Sequence, residues 1–214
     1  MGRLNRGPNG PFSGKAGSVI GSSWRGIYYI KGLQKTITKA RSPLQLEQQK
    51  RFSLAVKFLY QRKNVLDMGF STINPGGATG YNMAISHFLR YSIMGSYPDY
   101  KINYPAVVFT LGNLLLPEDM KMELNGMTLK LKWSTEIDNL HSFANDQLYL
   151  LIYFPKQNIF QPDIQEISRS LGETELVLND IAKGDTLQVY TYLLKDNGKK
   201  WSNSLYLGSV DVEG

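Results

Sequence analysis

The chain has no cysteine among its 214 residues, which excludes disulfide bonds, thiol catalysis, cysteine-ligated zinc and iron–sulfur clusters. It also lacks a long hydrophobic segment: the longest run, Leu148 to Phe154, has seven residues, whereas a membrane-spanning helix needs about 20. The stretch Met1 to Gly17 is rich in glycine, proline and basic residues and has no apolar core of the kind that a signal peptide requires. We therefore expect no membrane span. We expect cytoplasmic synthesis followed by assembly into a particle or by non-classical export, with the final location left open.

Acidic residues are almost missing from the first part of the chain. Residues 1–63 contain 13 Lys and Arg but a single acid, Glu47, so this part has a net charge of +12 within an overall +6. Residues 64–214 have a net charge of −6. The basic part could therefore bind nucleic acid, an anionic surface, or the acidic part of another copy in a head-to-tail contact. A solvated basic surface with no partner is the fourth interpretation.

Motifs of catalysis are also missing. The sequence has no G-x-S-x-G elbow and no H-E-x-x-H, and the segment 9–16 lacks both the first glycine and the final hydroxyl of a phosphate-binding loop. Of the two histidines, His87 is predicted to pack or cap within a helix. His141 follows Glu136 and Asp138, where a small oxygen/nitrogen metal site competes with an ordinary polar loop. We predict that the protein is not an enzyme and uses no cofactor, metal or small-molecule substrate.

The N-terminal region is predicted to begin with an extended arm. Five glycines and two prolines in residues 1–17 disfavour a helix or a central strand. The segment Ser18 to Leu33 is rich in β-branched and aromatic residues interrupted by Gly21 and Gly26, which favours short strands or a hairpin. Residues 35–40 are a further extended candidate.

Two helices are predicted next. The first runs from Ser42 to about Lys63, because Ser42, Pro43 and Gln45 form a helix start and the apolar residues that follow are spaced to make one buried stripe (Phe52, Ala55, Val56 and Leu59). The second runs from Tyr81 to Met94 and ends at Gly95.

The remaining sequence has the pattern of an antiparallel β domain. Asn125-Gly126 is a strong hairpin signal, and the alternation from Met127 to Trp133 indicates a strand with one buried face. About seven strands are predicted, over Ala106–Leu111, Met120–Leu124, Met127–Trp133, Gln147–Phe154, Leu176–Leu178, Asp185–Leu194 and Trp201–Val212. This number and spacing are typical of an immunoglobulin-like or fibronectin type III-like sandwich. We predict an α+β protein with an arm, a short β element and two helices in residues 1–100, followed by the β-sandwich in residues 101–214.

Aromatic and basic residues alternate in the predicted hairpin. This arrangement suits base stacking with phosphate contacts, a protein interface rich in Tyr, Trp and Arg, or simple packing of a half-buried hairpin. The interface interpretation is favoured because a glycine-rich arm precedes the hairpin and arms commonly reach onto neighbours. The predicted partner-binding residues are Arg3, Arg6, Lys15, Trp24, Arg25, Tyr28, Tyr29, Lys31 and Lys35.

Stretches that resemble a known protein family lie near both ends of the chain. They are Gly10 to Lys31, Ser42 to Phe58 with its Gln48-Gln49-Lys50-Arg51-Phe52, Gly184-Asp185 through Val189-Tyr190, and Ser202 to Gly208. These stretches resemble a family of uncharacterised bacterial proteins, a domain of unknown function, and the first is also similar to small structural proteins of bacteriophages. The family has no assigned catalytic residues. The resemblance therefore implies a basic N-terminal module joined to a β-sandwich, with no assigned chemistry.

We predict a self-assembling structural protein, such as a virion-like component or a subunit of a filament or layer. The basic arm and the segment Trp24 to Ile30 would dock on the acidic sandwich of the next copy, making a homo-oligomer. A nucleic-acid-binding protein that uses the same basic segment is the second hypothesis. A carbohydrate-binding or adhesin-like sandwich, with exposed Tyr and Trp stacking on sugars, is the third.

Overall fold

The computed structural model describes residues 2–3, 10–35, 40–71, 77–161, 164–178, 184–195 and 197–212. It divides into two compact units, Met1–Ser42 and Pro43–Gly214. The predicted boundary at residue 100 differs from this division, because both helices belong to the second unit. The charge difference between the two parts also changes, because the boundary between them is at Ser42 and not at residue 63. Unit 1 has eight basic residues and no acid, whereas unit 2 has a net charge of −2 because it includes the basic residues of the first helix.

Unit 1 is a four-stranded antiparallel sheet of β1 (Gly2–Arg3), β2 (Gly14–Ala16), β3 (Val19–Trp24) and β4 (Ile27–Gly32). The strand order in the sheet is β1-β4-β3-β2. The two-residue turn between β3 and β4 consists of Arg25 and Gly26, with φ angles of +51° and +76°. Two successive positive φ angles define a type I′ turn, which matches the twist of a hairpin.

The helical part of unit 2 contains α1 (Pro43–Leu59), α2 (Lys63–Gly69) and α3 (Gly80–Tyr91), with a 3₁₀ turn at Tyr60–Arg62. The predicted first helix therefore ends at Leu59 and continues through the 3₁₀ turn into α2. The second begins one residue earlier than predicted and ends at Tyr91. The Thr79 side chain caps its N-terminus by accepting a hydrogen bond from the Asn82 N–H at 3.1 Å.

The β part of unit 2 contains two larger sheets and a short strand pair. The short pair is β5 (Ile93–Met94) with β6 (Lys101–Ile102). The other strands are β7 (Lys121–Asn125), β8 (Thr128–Lys132), β9 (Gln147–Phe154), β10 (Ile159–Phe160), β11 (Ile164–Ser168), β12 (Glu173–Val177), β13 (Thr186–Leu194) and β14 (Leu205–Asp211). One larger sheet is five-stranded and antiparallel with the order β10-β9-β13-β14, and β11 also pairs with β9. The other is three-stranded and antiparallel with the order β12-β8-β7.

The five-stranded sheet is buried on both faces, so unit 2 has three layers. Leu151 and Tyr153 of β9 pack with the helices in one hydrophobic core, whereas Leu150 and Ile152 pack with β8 of the three-stranded sheet in another. A strand buried on both sides reads as a continuous apolar run, which is why β9 matches its prediction residue for residue. The helices belong to unit 2 because they cover one face of this sheet.

Three predicted features of unit 2 are wrong in detail. Residues 106–111 do not form the predicted strand. The Phe109 N–H donates to Ser204 Oγ and the Leu111 N–H to the Gly69 carbonyl, so these backbone groups do not pair with a neighbouring strand. Phe52 is exposed although its own turn of α1 is packed: the neighbouring Arg51 is half-buried and its Nη2 donates to the Leu89 carbonyl at 2.7 Å, so Phe52 lies at the edge of the buried stripe. The β7–β8 turn has Gly126 and Met127 at its centre, one residue later than predicted.

Candidate functional site

One face of the unit 1 sheet combines basic and aromatic side chains. Directly opposed residues of antiparallel strands point to the same face, and the register pairs Trp24 with Ile27, Ser22 with Tyr29, and Ile20 with both Lys31 and Lys15. We call this set the Trp24 face: Lys15, Ile20, Ser22, Trp24, Ile27, Tyr29 and Lys31. It therefore has a lysine on each side of Ile20 and a tryptophan at the hairpin tip.

The tip of this face is open to solvent. Trp24 is 51% exposed, and Ile27 opposite it is also exposed. The Arg25 guanidinium lies 5.2 Å from the centre of the Trp24 ring, so the turn presents a cation and an aromatic ring together. Aromatic residues and arginine are enriched at protein interfaces, so the tip has the composition of an interface.

The structure brings together part of the predicted binding set. Lys15, Trp24, Tyr29 and Lys31 share the Trp24 face, and Arg25 forms the adjoining turn. Tyr28 pairs with Ser23 and is on the opposite face, although it is 43% exposed. The remaining three residues differ in position: Lys35 follows the end of β4 and is exposed, Arg3 is described only as a backbone partner of Tyr29, and Arg6 lies outside the described residues.

A second surface, in unit 2, was not identified from the sequence. The loops before β7 and after β8 meet where the Ser134 N–H donates to the Glu118 carbonyl at 3.0 Å. They enclose a cavity of about 220 Å³. We call this region, residues 115–120 and 133–142, the loop end. The cavity is lined by Leu115, Leu116, Glu118, Ser134, Glu136, Ile137, Asp138, Ser142 and Arg169.

Arg169 forms the buried wall of this cavity and is only 3% exposed. Its Nη1 donates to the Leu115 carbonyl at 2.7 Å and its Nη2 to the Glu136 carbonyl at 3.3 Å, while its own carbonyl accepts from Trp133 Nε1. Burial lowers the pKa of its guanidinium, and Asp146 and Asp138 oppose that shift. Arg169 therefore links the loop before β7 to the loop after β8 at the base of the cavity, and this link restrains the shape of the cavity.

Asp138 organises the outer loop. Its Oδ1 accepts hydrogen bonds from the backbone N–H groups of Leu140, His141 and Ser142 and from the Ser142 hydroxyl, at 2.8 to 3.0 Å. These bonds, led by the one from His141, hold the pKa of the Asp138 carboxyl below its usual range. Within the described ranges, no group of three or more acidic or histidine side chains is placed to bind a metal.

The rim of the cavity is both acidic and apolar. Glu118, Glu136 and Asp138 line it and are exposed, so three acidic residues share the lining with one basic residue, Arg169. Exposed apolar side chains lie beside them in the same loops, at Leu115, Ile137 and Leu140. No local sequence pattern marks this surface, because its residues come from three separate segments and Arg169 has no motif around it.

The observed elements define a mixed α+β protein with antiparallel sheets and two charged, partly apolar surfaces. The chain belongs to DUF6266, a family of unknown function, which matches residues 11–208. Among solved structures, it is similar to the FN5 domain of Drosophila Lar, with 12% identity and a TM-score of 0.31, over 46% of this chain and 95% of that one. None of the curated proteins matches the sequence. Where the helices are described, none has the length and apolar character to cross a membrane.

Proposed function

We propose that this protein is a non-enzymatic structural subunit that assembles with copies of itself, as in a virion-like particle, a filament or a layer. The basic N-terminal unit of one copy docks on the β part of the next. The observation that carries the proposal is the Trp24 face, which joins exposed aromatic and apolar residues to two lysines on a unit with no acidic residue.

Charge complementarity supports a second copy as the partner. Unit 1 has only basic charges, and the exposed acids Glu118, Asp119, Glu136 and Asp138 of unit 2 are concentrated at the loop end. Opposite charges steer partners together and suppress wrong orientations. The donor and acceptor surfaces are different parts of the chain, so the contact is heterologous and builds a ring or an open filament.

We also propose that the β part is a variant of the immunoglobulin-like or fibronectin type III-like sandwich. Without the two-residue β10, the first, second and fifth strands (β7, β8 and β12) share one sheet, and the third, sixth and seventh (β9, β13 and β14) share the other. That distribution is the one expected of an immunoglobulin-like sandwich. The fourth strand, β11, pairs with β9 instead of β12, which is the variation.

The test is light scattering on a size-exclusion column at low and high salt, with the full chain and with a shortened chain that begins at Ser42. We expect the full chain to form a large particle free of nucleic acid. We expect this particle to dissociate partly at high salt, because salt screens contacts between exposed charges. We expect the shortened chain to remain monomeric. Equal assembly by both chains would disprove the proposal.

A nucleic-acid-binding function is the second candidate, and the same face favours it. Aromatic rings on a sheet can stack on bases while lysines contact phosphates. The probes are a fluorescent single-stranded dT20 and a 20-base-pair duplex, titrated at several salt concentrations. Binding whose logarithm falls steeply with the logarithm of salt concentration would support this function. Unchanged fluorescence anisotropy with both probes would eliminate it.

A further inference from the structure

We propose that the cavity at the loop end is the acceptor for the hairpin tip of a neighbouring copy, with the Trp24 ring against its apolar wall and Arg25 at its acidic rim. This inference rests on the proposed self-assembly, and it names the receiving site on the partner copy. The tip consists of Trp24, Arg25, Gly26 and Ile27.

The size of the cavity favours a side chain over a free ligand. Its volume of about 220 Å³ corresponds to roughly seven water molecules and is below the range of about 300–1,000 Å³ that is common for small-molecule sites. One large side chain of a protein partner fits that volume. The hairpin tip is narrow, because its turn has only two residues between Trp24 and Ile27.

The charges of the two surfaces are complementary. Around the cavity, Glu118, Glu136 and Asp138 outnumber the buried cation Arg169, which is already bonded to two backbone carbonyls. A second cation at the rim therefore meets unbalanced negative charge. Arg25 supplies this cation directly beside the Trp24 ring.

The apolar parts of the two surfaces also match. Leu115 and Ile137 are exposed in the cavity lining, and Trp24 and Ile27 are exposed at the tip. Each set has charged neighbours, as expected of an interface with an apolar centre and a polar rim. Docking the tip in the cavity covers both sets at once.

Cross-linking between two different chains tests the position of the contact, and the natural absence of cysteine makes the experiment clean. One chain carries Ser22→Cys, on the Trp24 face two residues before Trp24, and the second carries Ser134→Cys, in the cavity wall, together with a tag that changes its mass. Under mild oxidation we expect a disulfide-linked heterodimer. In the matched control, the second chain carries Ser53→Cys instead of Ser134→Cys. Ser53 is also accessible, because it is exposed on α1, but it is away from the cavity, since the helices cover the other face of the five-stranded sheet.

Charge exchange supplies an independent readout of the same contact. Arg25→Glu and Glu136→Arg should each weaken association by at least about tenfold, because each change places like charges together. The two changes in one chain should recover at least about tenfold over the weaker single variant, because the reversed pair attracts again, while Glu118 and Asp138 keep the recovery incomplete. Arg25→Lys serves as the control that keeps the charge.

The outcomes separate this inference from the proposed function. If the full chain assembles but the heterodimer forms no faster than with Ser53→Cys, and the double reversal restores nothing, the tip docks elsewhere and the inference is wrong. If the full chain stays monomeric at all salt concentrations, the proposed function itself fails. A fast heterodimer with charge rescue would establish the cavity as the acceptor.

Discussion

Replacing Trp24 with serine removes the largest exposed side chain of the Trp24 face. The residue is 51% exposed, so about half of its surface is available to a partner. With about 250 Å² for a tryptophan, complete coverage of the exposed half removes about 125 Å² from water, which at about 25 cal/mol per Å² corresponds to about 3 kcal/mol for each contact. Since about 1.4 kcal/mol is tenfold in affinity, Trp24→Ser should weaken association by about 100-fold.

Tyr28→Ser provides the matched control. Tyr28 neighbours the same turn and is 43% exposed, but it points to the opposite face of the sheet. We expect this variant to associate within about threefold of the unchanged chain. Both side chains lie in unit 1 and are half exposed. The urea midpoint of unit 2 depends on the buried core of unit 2, so we expect neither change to alter it.

Sedimentation velocity over a range of protein concentrations gives the association constants, and circular dichroism in urea checks the fold. Equal weakening by Trp24→Ser and Tyr28→Ser would refute the assignment of the docking face. A Trp24→Ser chain that assembles as tightly as the original would refute the contribution of the hairpin tip.

Three further predictions concern unit 2. Arg169→Ala should lower the free energy of unfolding in urea by about 2–4 kcal/mol, because it leaves two partly buried carbonyls without donors and opens a hole where a buried side chain was; a loss below about 1 kcal/mol would contradict this. Gly112→Ala should cost more than about 2 kcal/mol, since its Cβ would lie 1.9 Å from the Trp201 carbonyl oxygen, whereas Gly126→Ala, in open space at a φ of +60°, should cost only about 1–2 kcal/mol. Because the pKa of Asp138 is lowered in the folded state, its stabilising effect is complete above about pH 4 and is lost as the pH falls further. The stability difference between the unchanged chain and Asp138→Asn should therefore shrink from pH 7 to pH 2 in thermal unfolding, and a constant difference would contradict the argument.

The best sequence predictions concern features that depend on nearby residues. The start of α1 at Pro43 follows from Ser42, Pro43 and Gln45, and the limits of β9 follow from an unbroken apolar run. Of the two glycines expected to interrupt the strands of segment 18–33, Gly26 lies in the turn between β3 and β4, whereas Gly21 lies inside β3. In each case the signal is the intrinsic conformational preference of a few adjacent residues.

Predictions that needed long-range information were less accurate. Phe52 fits an apolar helical stripe with Ala55 and Leu59, yet it is exposed, because the half-buried position on its turn belongs to the polar Arg51, which an apolar pattern does not reveal. The placement of Tyr28 away from Trp24 follows from strand register, since a shift of one residue moves a side chain to the other face. Interleaved aromatic and basic residues alone could not separate these two faces.

The sequence by itself determined the α+β class, the antiparallel hairpins, the basic N-terminal part and the absence of cysteine chemistry. Each of these depends on composition or on residues close together in the chain. Tertiary structure alone decided that the helices belong with the antiparallel sheets of unit 2, and that Glu118, Glu136 and Arg169 surround one cavity. These residues are separated by as many as 51 positions, and only the pairing of β8 with β7 and β12 brings their loops to one end of the sheet. A surface assembled in this way has no local sequence signal, because its chemistry depends on which strands become neighbours.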